Sequence, residues 1–280
     1  MPDPRIWGTL CGVKRALLLI LSLACHPLRA GEKPAPTDFI RVHRDEKMSQ
    51  LQTSVTTYKK EGVSVTLFGA VHLADKGYYQ DLSRRFITFD RILYEMIGGE
   101  NAAAIKENPT PSPLATAYKM VGTFLNLADQ KTEIDYSAEN FIHADLTAAE
   151  FKHLQEKREE SILSFALAAA ENADVAGQPA TDELLATLMS GNSDRAKLLL
   201  MKSLAAGDEV VGGLADQSVM ITDRNAKCLE VLSAEIAKGH QNLGIFYGAA
   251  HCPGLEAALL DQGFQKTGQS WIPAWSVPDA

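Results

Sequence analysis

Two segments of this sequence share the pattern Gly-x-x-His, at Gly69–His72 and Gly248–His251. Each pattern closes an apolar run typical of a buried strand, and each is followed by a segment with helical periodicity. Ligands of open α/β sheets bind at the carboxyl ends of parallel strands, so residues that follow two such strands can meet although they are distant in the chain. We therefore expect His72 and His251 to belong to one site. The simpler alternative is that each histidine only ends its strand or contacts a helix terminus.

Glu95 is the acidic residue best placed to join these histidines. It lies near the carboxyl end of the apolar segment Ile92–Ile97, where an ionised carboxylate is costly to bury without a cation. Two imidazoles and one carboxylate form a common ligand set for Zn²⁺, Mn²⁺ or Co²⁺, and such a metal lowers the pKa of its bound water. His72, Glu95 and His251 are therefore predicted to be both metal ligands and catalytic residues.

Two other roles stay open for Glu95. It could act as the general base while the metal is held otherwise, because geometry decides between a ligand and a base. It could also form a purely structural ion pair with Arg84, Arg85 or Arg91.

Arg224 is the fourth candidate, in the segment Asp223-Arg224-Asn225 that opens a late helix. A helix amino terminus that carries an arginine suits an anionic group or a developing oxyanion. Arg224 is therefore predicted to stabilise negative charge on the attacked carbonyl or to bind a substrate carboxylate. The alternative is that Asp223 only caps the helix and Arg224 is solvated.

Several common catalytic signatures are missing from the sequence. It contains no His-Glu-x-x-His, no Gly-x-Ser-x-Gly and no phosphate-binding glycine-rich loop, which disfavours common zincins, α/β serine hydrolases and P-loop enzymes. Cys252, directly after His251, could be a nucleophile or a soft ligand, although a buried apolar role is commoner for cysteine.

The paired Gly-x-x-His motifs, the glutamate of Tyr94-Glu95 and the arginine of Arg224-Asn225 resemble the TraB/PrgY/Tiki family. The resemblance covers about residues 50–275 and matches the family motifs at His72, Glu95, Arg224 and His251. It implies a fold related to erythromycin esterase and ChaN-like proteins, a central mixed sheet flanked by helices. It also implies metal-dependent hydrolysis of a peptide or protein substrate.

The predicted elements agree with an α/β (α+β) fold. A strand, a helix and a strand follow one another over Val63–Val71, Asp75–Phe89 and Arg91–Ile97, the βαβ pattern of parallel strands. The helix is predicted from an apolar stripe at helical spacing, with Asp75 placed to cap it. The middle of the chain, residues 112–238, reads as a largely helical insertion, with helices predicted over 114–128, 147–170, 181–189, 194–204 and 222–238. Asp145 and Thr147 before Glu150 resemble a capping box at the start of the second of these helices. The remaining predictions are a first hairpin strand Ser54–Tyr58, a late strand Asn242–Ala250, a helix Pro253–Asp261 and a terminal hairpin Phe264–Val277.

The amino terminus reads as a processing segment. Residues 1–30 combine basic residues with a short apolar run and a small-residue cleavage site, as in a signal peptide or an amino-terminal anchor. Export to the periplasm or the exterior is therefore predicted, and Cys25 could instead be the lipidated residue of a lipoprotein, which would attach the chain to a membrane. Residues 31–47 are predicted to be a linker and residues 48–280 a single TraB/Tiki-like domain.

The composition restricts the kinds of partner that the chain is expected to bind. The sequence has 280 residues and is 46% hydrophobic, enough for a large core. Beyond residue 30 it carries 23 Lys+Arg against 34 Asp+Glu, so nucleic acid is not an expected partner. The sequence thus predicts an exported metal-dependent peptidase. A non-catalytic peptide- or haem-binding protein of the same fold and a metal-independent, esterase-like hydrolase remain the alternatives.

Overall fold

The computed structural model describes residues 37–100, 113–160, 189–215 and 218–278, together with residues 183, 186 and 187. Nine strands and seven α-helices lie in these ranges. The strands are β1 (Ile40–Arg44), β2 (Met48–Lys60), β3 (Val63–Ala70), β4 (Leu73–Ala74), β5 (Arg91–Tyr94), β6 (Ala128–Asp129), β7 (Phe141–His143), β8 (Asn242–Gly248) and β9 (Gln265–Pro278). The helices are α1 (Lys76–Phe86), α2 (Pro113–Leu125), α3 (Gln130–Glu133), α4 (Ala148–Arg158), α5 (Ser193–Ala215), α6 (Arg224–Ala237) and α7 (Cys252–Asp261).

The β2–β3 hairpin belongs to the antiparallel part of the sheet and was predicted. Its two-residue turn, Glu61-Gly62, has positive φ at both positions, 47° and 86°. This backbone gives a turn whose twist matches the flanking strands. The long β2 pairs with β9 along one edge, whereas β1 and β3 share its other edge.

Four parallel strands form the other half of the sheet, in the order β3-β8-β5-β7. The predicted βαβ unit is correct in that β3 and β5 run parallel, but β8 lies between them. The four strands end at Ala70, Gly248, Tyr94 and His143. Because parallel strands share one direction, all four carboxyl ends lie at the same edge of the sheet.

Helices on both sides of the sheet complete the predicted mixed architecture. On one face, the Tyr58 hydroxyl of β2 donates to Glu256 of α7 at 2.7 Å. α1 buries Tyr78, Tyr79, Leu82 and Phe86, the stripe that its periodicity predicted. Asp75, the predicted cap of α1, makes no side-chain cap bond and accepts instead from Ser276 N at 2.8 Å.

The helical middle of the chain was predicted over residues 112–238. The capping box of α4 is present, since Glu150 N donates to Thr147 Oγ1 and Thr147 N donates to Glu150 Oε2. The predicted extension of this helix to residue 170 and part of the predicted helix at 181–189 lie outside the described residues. A π-helical turn, Val219–Asp223, leads into α6.

Three sequence predictions of structure are wrong. The terminal hairpin is one continuous strand, β9, in which Gly268 lies at an irregularity in the pairing with β2 and makes no turn. The linker contains β1, whose pairing with β2 satisfies its backbone groups. The helical reading of residues 112–238 overlooked the short strand β7, because three residues show no clear alternation.

The described residues from Asp38 onward belong to one compact unit. Within the described ranges, no helix is long and apolar enough to cross a membrane. The predicted processing segment, including Cys25, lies outside the described residues.

Candidate functional site

The carboxyl ends of three parallel strands and the first turn of α6 place five polar side chains in one group. Glu95 follows β5, Asp145 follows β7 by two residues, and His251 ends a short 3₁₀ turn after β8. Arg224 and Asn225 come from the first turn of α6. These five residues, hereafter the strand-end cluster, include three of the four sequence-predicted site residues.

Glu95 binds two different elements through its two carboxylate oxygens. Its Oε2 accepts from the backbone N–H of Gly248 at 2.6 Å, and its Oε1 accepts from Arg224 Nη2 at 2.6 Å. Oε1 also lies 3.5 Å from His251 Nε2. A β-carbon on Gly248 would lie 3.3 Å from Oε2, so the glycine of the second motif gives this carboxylate close access to the backbone.

Arg224 is the centre of the cluster and is 5% exposed. Its Nε and Nη2 hold Asp145 in a two-pronged ion pair at 2.9 and 2.6 Å, and Nη2 also donates to Glu95. Its Nη1 lies 3.3 Å from Met220 O and 3.4 Å from His251 Nε2. All five guanidinium N–H groups therefore have acceptors within the protein. This geometry gives Arg224 a positioning role and leaves no donor for the predicted contact with a substrate oxyanion.

His251 is held by Asn225. The Asn225 amide nitrogen donates to the backbone oxygen of His251 at 3.1 Å, which turns its Oδ1 toward His251 Nδ1 at 2.7 Å. This network assigns the imidazole proton to Nδ1 and leaves the lone pair on Nε2, beside Glu95. The ring also packs edge-on against Tyr247, at 5.2 Å between centroids.

His72 occupies the rim of the site. Its side chain is exposed, in contrast to that of His251, which is 3% exposed as a residue. The backbone oxygen of His72 accepts from Gln130 N at 3.0 Å, and β4 directly after it pairs with β6. The structure thus brings three of the predicted residues into direct contact and places the fourth at the solvent side.

The electrostatics of the cluster keep Glu95 ionised. Burial raises the pKa of Glu95, but attraction to the His251 imidazole in its protonated form and to Arg224, with a smaller contribution from His72, outweighs burial and holds the pKa well below its ordinary value. Burial lowers the pKa of Arg224, and the Glu95 and Asp145 carboxylates more than reverse that effect. Two carboxylates therefore share one buried guanidinium.

Asp145 was missed as a site residue. In the sequence it was assigned to a capping box with Thr147 and Glu150, and those two residues form the box without it. The available signal was its position two residues beyond a strand that ends at the same edge as Glu95. Asp223, interpreted as a cap, makes no cap bond and pairs with Arg158 at 2.9 Å.

The two cysteines of the described chain are buried thiols. Burial raises the pKa of Cys228 well above its ordinary value, so this thiol stays protonated. Cys252, next to His251, is 1% exposed, and its Sγ lies 3.9 Å from Gly248 O. Neither environment is typical of an activated nucleophile.

The three predicted metal ligands do not form a ligand set. Among the residues that the structure describes, no three His, Cys, Asp or Glu side chains are grouped so that they could hold a metal ion. The Arg224 guanidinium contacts both Glu95 and His251, and a fixed positive charge there opposes a divalent cation. The site therefore does not fit the predicted Mn²⁺, Co²⁺ or Zn²⁺ ion.

Comparison with known proteins found no matching family model, no matching curated protein and no matching solved structure. The resemblance to the TraB/PrgY/Tiki family consequently rests on the short motifs alone.

Proposed function

We propose that this protein is an exported hydrolase that cleaves peptides, with His251 as the base that activates the attacking water. The observation that carries the proposal is the two-sided setting of the His251 ring. Its Nδ1 lies 2.7 Å from Asn225 Oδ1, while its Nε2 lies 3.5 Å from Glu95 Oε1. An imidazole with one nitrogen fixed by an amide and the other beside a carboxylate is suited to general base catalysis.

The reaction begins when a water molecule replaces Arg224 Nη1 as the partner of His251 Nε2. His251 Nε2 then accepts a proton from this water, and the water oxygen attacks the substrate carbonyl carbon. The imidazolium that forms is stabilised by the ionised Glu95 beside it. The imidazolium then returns the proton to the leaving amine as the carbon–nitrogen bond breaks.

Glu95 acts through charge in this mechanism. A carboxylate whose pKa is held well below its ordinary value is a weak base, which favours His251 over Glu95 for the proton transfer. Arg224 and Asp145 fix the position of Glu95, and the exposed His72 is the proposed substrate contact at the rim.

The motif resemblance supports a peptide as substrate, and the composition of residues 1–30 supports export. Hydrolysis without a metal is the alternative that the sequence left open, and the position of Arg224 between Glu95 and His251 favours it.

The test uses the full chain, produced in a bacterial host and purified after fractionation. Internally quenched peptides with degenerate positions are the substrates, with and without EDTA. We expect cleavage that survives the chelator and falls by at least about 100-fold in Glu95→Gln. The variant should fold, because Asp145 still neutralises Arg224.

A matched control is Glu235→Gln. Glu235 is also a buried, ion-paired carboxylate, held by Arg91 and Lys238 near the amino-terminal end of β5. Full activity in Glu95→Gln would refute the mechanism, and activity that requires added Zn²⁺, Mn²⁺ or Co²⁺ would restore the metal-dependent alternative.

A further inference from the structure

A buried glutamine beside the strand-end cluster has a hydrogen-bonding atom without a partner. Gln130 opens α3 and is 6% exposed. Its Nε2 donates to the Tyr136 hydroxyl at 2.9 Å, whereas its Oε1 is buried and unpaired. Buried polar groups in proteins are nearly always hydrogen-bonded, so each exception needs an explanation.

The orientation of the amide does not account for this exception. If the oxygen and nitrogen of Gln130 exchanged places, the oxygen would accept from the Tyr136 hydroxyl and the nitrogen would be the unpaired atom. In either orientation, one polar atom of Gln130 is left for another group.

Gln130 and Tyr136 connect two parts of the site. Gln130 N donates to His72 O at 3.0 Å, and the Tyr136 ring lies 5.0 Å from that of Tyr94, the residue before Glu95. Burial and then the negative charge of Glu95 raise the pKa of Tyr136, so its hydroxyl stays protonated near that carboxylate. The pair therefore spans the ends of β3 and β5, which β8 separates in the sheet.

We infer that Gln130 is a specificity-determining residue, whose unpaired amide atom hydrogen-bonds a backbone amide of the substrate. The inference rests on the proposed function for the choice of a peptide. A backbone amide both donates and accepts, so it satisfies Gln130 in either orientation. An ester linkage has no donor and leaves the glutamine oxygen unpaired. The unpaired atom is closed to solvent in the free protein, so the substrate amide reaches it only after the side chains that cover it move aside.

The experiment compares internally quenched degenerate peptides with depsipeptides in which one backbone amide next to the scissile bond is replaced by an ester. The measured quantity is the ratio of kcat/KM for the amide to that for the ester. We expect this ratio to fall at least about tenfold in Gln130→Leu relative to wild type. Gln130→Glu keeps an acceptor and should retain part of the preference.

The matched control is Gln52→Leu. Gln52 is 7% exposed, but its Oε1 accepts from Arg41 and its Nε2 donates to Gln50, so both atoms already have partners. It lies on β2, away from the strand-end cluster, and its loss should leave the ratio unchanged. Tyr136→Phe removes the hydroxyl and keeps the ring against Tyr94, so it distinguishes the effect of the hydroxyl from that of the glutamine.

An unchanged ratio in Gln130→Leu would overturn the inference, including the case where both rates fall equally, since that is what a structural role would give. The corresponding ratio for binding is that of the two dissociation constants, ester over amide, measured by fluorescence anisotropy of the labelled peptides. Absence of turnover with an amide preference in binding that disappears in Gln130→Leu would refute the proposed hydrolase and support the recognition role. Absence of any preference in both measurements would overturn that role.

Discussion

The two Gly-x-x-His motifs have the same pattern and opposite surroundings. Both follow parallel strands that are neighbours in the sheet, β3 and β8. His251 is buried and fixed by Asn225, whereas His72 is exposed at the rim. The comparison shows that a motif at a strand end predicts where a side chain lies. The neighbours that pack around it determine what the side chain can do.

Removing each histidine in turn tests whether the two motifs differ in function. We expect His251→Ala to lower kcat by about 1,000-fold, because the proton acceptor is lost. His72→Ala should instead raise KM by about tenfold with kcat little changed, since its proposed contact is made in the ground state. Steady-state kinetics measure both, with the exposed His153 replaced by alanine as the control. Equal losses in kcat would show that His72 and His251 have equivalent roles and would contradict the prediction.

Arg224→Ala tests whether the stability of the buried strand-end cluster depends on charge. The substitution leaves Glu95 and Asp145 buried without a cation, so we expect it to destabilise the fold by about 3–5 kcal/mol. Urea denaturation measures the free energy of unfolding. Arg195→Ala removes an ion pair with Glu183 in which both side chains are exposed, and should cost below about 1 kcal/mol. A loss in Arg224→Ala as small as that control would show that the cluster is not an energetic unit.

Gly254→Ala perturbs His251 without touching it. The added β-carbon would lie 2.7 Å from Asn225 Nδ2, so Asn225 must move and His251 loses its fixed orientation. We expect kcat to fall by about tenfold, with a destabilisation of about 1–2 kcal/mol. Gly77→Ala is the control, because nothing lies within 4 Å of the added carbon. Unaltered kcat in Gly254→Ala would mean that Asn225 does not orient the base.

Acid titration gives the smallest effect. The folded pKa of Glu95 is lowered by His251 and Arg224 in spite of burial, so its contribution to stability is present above the ordinary carboxyl pKa of about 4.3. That contribution is lost as the pH falls through the lowered pKa. The stability difference between wild type and Glu95→Gln should therefore shrink as the pH decreases from 7 through about 5 toward about 3 in urea titrations. A difference independent of pH would show that Glu95 is not held ionised.

Local patterns were sufficient to predict much of the fold. The turn at Glu61-Gly62, the stripe of α1 and the capping box of α4 depend on neighbouring residues, and each was recognised. The insertion of β8 between β3 and β5 was not, because an apolar run identifies a buried strand without identifying its partners. The terminal hairpin was predicted for the same reason, since only the pairing with β2 shows that Gln265–Pro278 is one continuous strand.

The residues of the site were likewise predictable only where local sequence determines their position. Strand ends predicted the positions of His72, Glu95 and His251, whereas the burial of Arg224 depends on Asp145, which lies 79 residues away. A helix-opening arginine is ordinarily solvated, and a carboxylate before a helix ordinarily caps it. Their mutual pairing becomes visible only when β7 and α6 are placed together.

The position of β8 also has a consequence for how the chain reaches its folded state. As the polypeptide is synthesised, β3 and β5 are available early, but the strand that joins them begins only at Asn242. Until then their edges have no β8 to bond, and such edges associate readily with other chains. Pairing over such long sequence separation slows folding. The parallel half of the sheet is therefore completed only late in synthesis, once β8 is available.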